Sequence, residues 1–378
     1  MTVSTDAGDG SFGVRWRAER AAEQAACLPA GDVSVSCSAP FGSGGLGRHL
    51  EEIVGALRRR GSEVRCLCGP GAAGDDACGC GVVQPGRPAG AAGSLLRRSA
   101  AWRIWASSAS FDAAAARRLD GAEHLIAFSG QARAQFRRAG ERGLGSRSLV
   151  SPTSHLTGVD RRYREAIARH PLEQPWTTHL LRRSLTEYRL AERIYVSSRY
   201  VLESFLEQGI SEDRLTLFPL TPDEAFRPSA EPNDSSLFEI LYVGSLSVVK
   251  GVPLLLEAFA RQPGDELRLI LLGGWESRGM RRHIEAACAA DPRIEVRPGR
   301  PLERLRTARL FVHPSYEDGF SYSCAEALAC GVPVIASANT GAKELIDPGR
   351  TGVVAPTGDL DWLTEALAAA HRGELLNG

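Results

Sequence analysis

The chain has 378 residues, too many for one ordinary hydrophobic core, so two domains are expected. Hydrophobic residues make up 43% and charged residues 24%, a globular balance, and no apolar run reaches the ~20 residues of a bilayer-crossing helix. The formal net charge is zero, which excludes a global field that would draw the chain to nucleic acid.

Residues 1–30 read as a polar, partly helical extension without the apolar stretch of a secretory signal. The nine cysteines are odd in number and scattered, which suits a reducing cytoplasm better than a disulfide framework. Cys66/Cys68 and Cys78/Cys80 are spaced C-x-C, not the usual zinc spacing, and the first pair lies on a probable strand.

From Val33 to about residue 220, β-rich runs alternate with helical patterns. The expected strands are Val33–Ser38, Glu63–Cys68, His124–Phe128, Ser148–Ser151, Arg193–Ser197 and Leu215–Pro219, with helices such as Leu50–Arg60 and Ser184–Glu192. Residues 221–236, rich in Pro, Asp, Asn and Ser, suit a linker. From residue 237 a second series follows: Glu239–Val243, Leu267–Leu272, Ile294–Arg297, Leu310–His313, Pro333–Ala336 and Gly352–Ala355. Its helices include Pro253–Arg261, Arg278–Ala290 and Tyr322–Ala329. The alternation predicts an α/β protein of two facing, Rossmann-like, doubly wound parallel-sheet domains, with ligands at the carboxyl ends of the strands.

The first strand runs into Gly42-Ser43-Gly44-Gly45-Leu46-Gly47, and a helix is expected from about Arg48. Glycines let a backbone approach a phosphate, and a helix N-terminus favours negative charge. The run also fits G-x-G-x-x-G, but a dinucleotide site wants a carboxylate at the end of the second strand. Here that strand ends Cys66-Leu67-Cys68-Gly69-Pro70. A tight strand-to-helix turn explains the glycines equally well. Further on, residues 94–119 carry Trp102, Ile104 and Trp105 among Arg97, Arg98 and Arg103. Either this is a first-domain helix with a solvated basic face, or it makes a peripheral contact with the inner face of a membrane.

Three pieces of the second half bear on chemistry. Lys250 follows Gly244-Ser245 on a loop at a strand's carboxyl end, where an ammonium suits a phosphate or is merely solvated. Asp318-Gly319-Phe320-Ser321 follows the strand Leu310–His313, so that backbone N–H groups and a carboxylate come to one edge. Glu326 lies eight residues after Asp318, which at ~100° per residue returns it to within ~80° of the same helix face.

Asp318, seven residues, Glu326 and then Ala327-Leu328-Ala329-Cys330-Gly331-Val332-Pro333-Val334-Ile335 resemble the signature of glycosyltransferase family 4, the group 1 glycosyltransferases of GT-B architecture. Gly44-Gly45-Leu46-Gly47-Arg48 is similar to that family's donor-phosphate loop. Residues 187–198 resemble its last helix–strand step before the linker. The likeness spans about residues 33–365.

The resemblance implies a retaining transfer of a sugar from a nucleoside-diphosphate sugar to an acceptor hydroxyl, with no cofactor and no metal. Glu326 would hold the ribose, and Asp318 with Gly319, Phe320 and Ser321 the donor sugar. Lys250 would neutralise the departing diphosphate, with Gly44 and Gly45 bringing N–H groups near it. His155, after the strand Ser148–Ser151, matches the family's cleft histidine. Ser245 stands where the family carries an arginine, and Glu317 beside Asp318 is an alternative first acid. The family's final helices, expected after a helix at Asp361–Arg372, have no counterpart before Gly378. A nucleotide-sugar epimerase of the same fold and a non-catalytic binding scaffold are the rival readings. The acceptor stays open among small molecule, lipid and saccharide.

Overall fold

A computed structural model describes residues 11–71, 80–84, 100–119, 121–229 and 235–376. The chain divides into two compact units. One comprises Ala18–Asp160 and Gln174–Leu220, and the other comprises Arg161–Glu173 and the chain from Thr221 onward.

Among the described residues, the first unit builds a seven-stranded sheet. Its strands are β1 (Asp32–Cys37), β2 (Glu63–Cys68), β3 (Gly81–Val82), β4 (His124–Phe128), β5 (Ser146–Ser151), β6 (Arg193–Val196) and β7 (Leu215–Leu217). They run parallel in the order β3-β2-β1-β4-β5-β6-β7. The second unit builds a six-stranded sheet from β8 (Phe238–Val243), β9 (Leu267–Leu272), β10 (Ile294–Val296), β11 (Leu310–His313), β12 (Val334–Ser337) and β13 (Gly352–Ala355). Its order is β10-β9-β8-β11-β12-β13, again parallel.

A parallel strand covered on both faces has no solvent side, so it reads as a continuous apolar run. Val334–Ser337 and Leu310–His313 are buried at every position. Phe136, Leu149 and Ile194 centre the core of the first unit, and Leu241, Ile270, Phe311 and Val334 that of the second. The expected strands are present within one or two residues at each end, and the two-residue β3 is an addition.

The helix Gly44–Arg59 begins earlier than expected, so Gly44, Gly45 and Gly47 lie in its first turn and not in a loop before it. Helix Ala100–Arg117 covers part of the tryptophan-bearing segment. Ile104 and Trp105 pack against the core, and the exposed Trp102 stacks on His179 at 4.0 Å; Arg97 and Arg98 lie outside the described residues. Among the described residues no helix is long and apolar enough to cross a membrane. Cys66 and Cys68 are buried thiols on β2, and Cys78 lies outside the described residues.

Candidate active site

In the second sheet the chain winds outward from β8 through β9 to β10, then returns at β11 on the other side of β8. The crevice at such a reversal, at the carboxyl ends of the strands, is where open α/β sheets bind ligands. Lys250 follows β8 and Asp318 follows β11, so topology alone brings residues 68 positions apart to one point.

The two loops are stitched together independently of the Lys250 and Asp318 side chains. Tyr316 N–H donates to the Val249 carbonyl at 2.8 Å, and Ser315 Oγ donates to the same oxygen at 3.2 Å. Gly251 has φ +72°, and a Cβ there would lie 2.0 Å from the Pro314 carbonyl oxygen, so only glycine allows this approach.

Lys250 Nζ donates to Asp318 Oδ2 at 2.7 Å and to the Glu317 carbonyl at 3.0 Å. His313, buried at the last position of β11, meets the same carboxylate oxygen through Nε2 at 3.0 Å. A carboxylate only accepts, so Nε2 carries the proton. The N–H groups of Phe320 and Ser321 donate to Asp318 Oδ1 at 3.3 and 3.1 Å. Burial works against a charge on Asp318, but the Lys250 ammonium and the His313 bond outweigh it and hold the carboxyl well below the usual range. Four donors converge on this one carboxylate, about as many as its lone pairs accept.

Among the described residues Ser321 is the one non-glycine residue with positive φ, at 65°. It caps the helix Tyr322–Ala329, its hydroxyl accepting from Cys324 N–H. Glu326 lies on that helix and is buried. The expectation that Asp318 and Glu326 share a helix face does not hold: the helix starts at Tyr322, and Asp318 sits in the turn before it. Glu317 is buried beside Asp318, and its Oε2 accepts from Arg162 Nη1 at 3.0 Å. Ser245, at the position of the family's arginine, donates to Glu276 Oε2 at 3.0 Å.

In the first unit the glycine turn follows β1, at the reversal between β1 and β4. Gly47 is structural, since a Cβ there would lie 2.0 Å from the Pro40 carbonyl oxygen. Gly44 and Gly45 are different: a Cβ on either meets nothing within 4 Å. The protein's own packing therefore does not explain Gly45, whereas a ligand approaching the N-terminal turn of the helix would. His155 is buried between Tyr188 and Phe205, with ring centroids at 4.8 and 5.1 Å. Its Nδ1 accepts from Thr157 N–H at 3.4 Å, and burial pushes its pKa down to about 4, so near pH 7 it is a neutral imidazole.

Lys250, Asp318, Gly319, Phe320 and Ser321 thus come together around one carboxylate, with Ser245 and Glu326 in the same unit. Gly44, Gly45 and His155 belong to the other unit. Sequence reasoning missed His313, although a histidine closing an otherwise apolar strand at its carboxyl end was the available signal. It also missed Arg162, for which no local signal exists.

The family described as "Glycosyl transferases group 1" matches residues 223–376, and that described as "Glycosyl transferase 4-like domain" matches residues 44–221. The chain belongs to the group 1 glycosyltransferases. Like this chain, solved GT-B proteins pair two such α/β sheets. Sucrose-phosphate synthase from Thermosynechococcus elongatus aligns with a TM-score of 0.68 over 92% of each chain, at 20% identity. Anabaena Alr3699/HepE, solved in complex with UDP-glucose, aligns with a TM-score of 0.61 over 91% of each chain, at 16% identity. At these identities the likeness is one of fold. Among curated relatives, D-inositol 3-phosphate glycosyltransferase of Xylanimonas cellulosilytica is 33% identical over 171 residues, which cover 41% of this group 1 chain and 39% of that protein. The chain spans less than half the length of the first curated relatives it matches.

Proposed function

We propose that this chain is a retaining glycosyltransferase that moves a sugar from a nucleoside-diphosphate sugar to an acceptor hydroxyl. The observation that carries this reading is the Lys250–Asp318 contact at the switch point of the second sheet, in a group 1 glycosyltransferase. The bond from the anomeric carbon to the β-phosphate oxygen breaks, and a bond to the acceptor oxygen forms on the same face. The acceptor's proton passes to the departing phosphate.

Negative charge grows on the diphosphate as that bond breaks. Lys250 meets it, and within the first unit the N-terminal helix turn at Gly44 and Gly45 is suited to a phosphate. Asp318, already accepting four donors, serves by fixing Lys250 and the turn. Glu326 takes the ribose hydroxyls, and His155, neutral near pH 7, serves the sugar and acceptor. The chemistry calls on no metal and no cofactor. The acceptor is a hydroxyl of a small molecule, lipid or saccharide, and a peripheral membrane contact through Trp102 would suit the lipid.

The relative solved with UDP-glucose supports a nucleotide-sugar donor. The test is release of nucleoside diphosphate from UDP- and GDP-sugars, with the anomeric configuration of the product read by NMR. Replacing Glu326 with alanine should abolish release; full activity in E326A would sink the site assignment. One observation favours a second reading, binding without turnover: Ser245 contributes no charge to the diphosphate and faces a carboxylate, Glu276. Tight nucleotide binding with no release in the wild type would select it.

A further inference from the structure

The segment Arg161–Glu173 comes from the first half of the sequence yet groups with the second unit. Within that unit it touches the loops after four strands of the sheet. After β8, Val248 N–H donates to Glu173 Oε1 at 3.0 Å. Ser277 Oγ, after β9, donates to the Leu172 carbonyl at 3.0 Å. Arg162 Nη1 donates to Glu317 Oε2, after β11, at 3.0 Å, and Arg169 Nη1 to the Gly358 carbonyl, after β13, at 2.7 Å. The segment therefore runs along the carboxyl edge that carries Lys250 and Asp318.

Two of these contacts use buried ionisable groups that the proposed chemistry leaves idle. Glu173 Oε1 accepts from Tyr163 Oη at 2.7 Å as well as from Val248 N–H, while Oε2 is buried without a hydrogen-bond partner. Holding a carboxylate in such surroundings is costly. Fixing the loop two residues before Lys250 gives that placement a use. Arg162 and Glu317 are a second nearly dry pair, and Glu317 also lends its carbonyl to Lys250. The segment thus grips the Lys250 loop at one end and the Asp318 turn at the other.

We propose that Arg162 and Glu173 are positioning residues, and that the segment Arg161–Glu173 is a strap that holds the Lys250 loop against the Asp318 turn. The consequence for the donor diphosphate rests on the glycosyltransferase reading; the strap itself does not.

The test pairs amide hydrogen exchange with calorimetric binding of UDP and GDP. E173L keeps the bulk but strands the Val248 N–H. It should speed exchange across residues 246–251 about tenfold and weaken nucleoside diphosphate binding by a similar factor, raising the donor KM more than it lowers kcat. E173Q retains an acceptor oxygen and should stay within about threefold of the wild type on both measures. The double variant R162M/E317Q, which leaves no buried charge unpaired, should reproduce the weakened binding from the other end and covers the case of an E173L chain that does not fold. Unchanged loop exchange in E173L, or an E173Q variant as impaired as E173L, would overturn the strap. A wild type that binds neither UDP nor GDP would overturn the donor reading, and the exchange data would still decide the strap.

Discussion

Ser321 provides the sharpest test of how the site turn is built, because two small substitutions should move stability in opposite directions. Its φ of 65° costs an L-residue about 1–2 kcal/mol. Its hydroxyl returns part of that by capping the helix Tyr322–Ala329 through Cys324 N–H. Ser321→Gly removes the strain, loses only a few tenths of a kcal/mol at the cap, and pays about 0.5–1 kcal/mol in unfolded-chain entropy. The net is a gain of roughly 0.5 kcal/mol. Ser321→Ala keeps the strain and loses the cap, a loss of about 1 kcal/mol. The two variants should therefore differ by about 1.5 kcal/mol in the unfolding of the second unit, read by scanning calorimetry against the wild type. Both keep the backbone N–H that donates to Asp318 Oδ1, so nucleotide affinity should change little in Ser321→Gly. A Ser321→Gly chain as unstable as Ser321→Ala would refute the claim that the turn is strained and would put the whole contribution in the hydroxyl.

Three further outcomes follow from the same geometry. Lys250→Met should lower kcat about 100- to 1000-fold with a smaller change in donor affinity, measured by release of nucleoside diphosphate, because its charge is needed most as the diphosphate departs. In the glycine turn, Gly47→Ala should destabilise the first unit by more than about 2 kcal/mol because its Cβ meets the Pro40 carbonyl at 2.0 Å; Gly45→Ala should melt like the wild type yet lose donor turnover. Burial, opposed by bonds from Tyr163 and Val248 and reinforced by the nearby Glu276, raises Glu173 from its ordinary 4.5 to about 7. The folded state then binds the proton more tightly than the unfolded one. The resulting stabilisation is complete below pH 4.5 and lost as pH rises through about 7, so the wild type should fall relative to E173Q by on the order of 2–3 kcal/mol across that window in urea titrations.

What the sequence made legible follows from which interactions are local. Strands such as Leu310–His313 are buried on both faces, so their apolar runs stand out between glycines and prolines. The Lys250–Asp318 meeting was within reach of sequence reasoning because a doubly wound order puts the loops after the first and fourth strands of a series side by side. The start of the helix at Gly44 was not, because glycine is a poor helix former and the rule that reads helix starts penalises it. Asp318 was misplaced for another reason: the ~100°-per-residue reckoning was carried back past Tyr322, where the helix begins, and nothing in Asp-Gly-Phe-Ser announces a turn with a serine held at positive φ.

The strap is the harder case, and it shows where local reading ends. Leu156–Arg169 has the amphipathic spacing of any helix in the first half of the chain. Neither Arg162 nor Glu173 differs in its neighbours from a solvated surface charge. Their burial is decided by partners 155 and 75 residues away, Glu317 and Val248. A largely covered guanidinium and a buried carboxylate each need a partner that only the assembled fold supplies. Charged residues that look like surface in sequence and prove to be buried are thus the positions where the structure adds most. In this chain they converge on the two loops that carry Lys250 and Asp318.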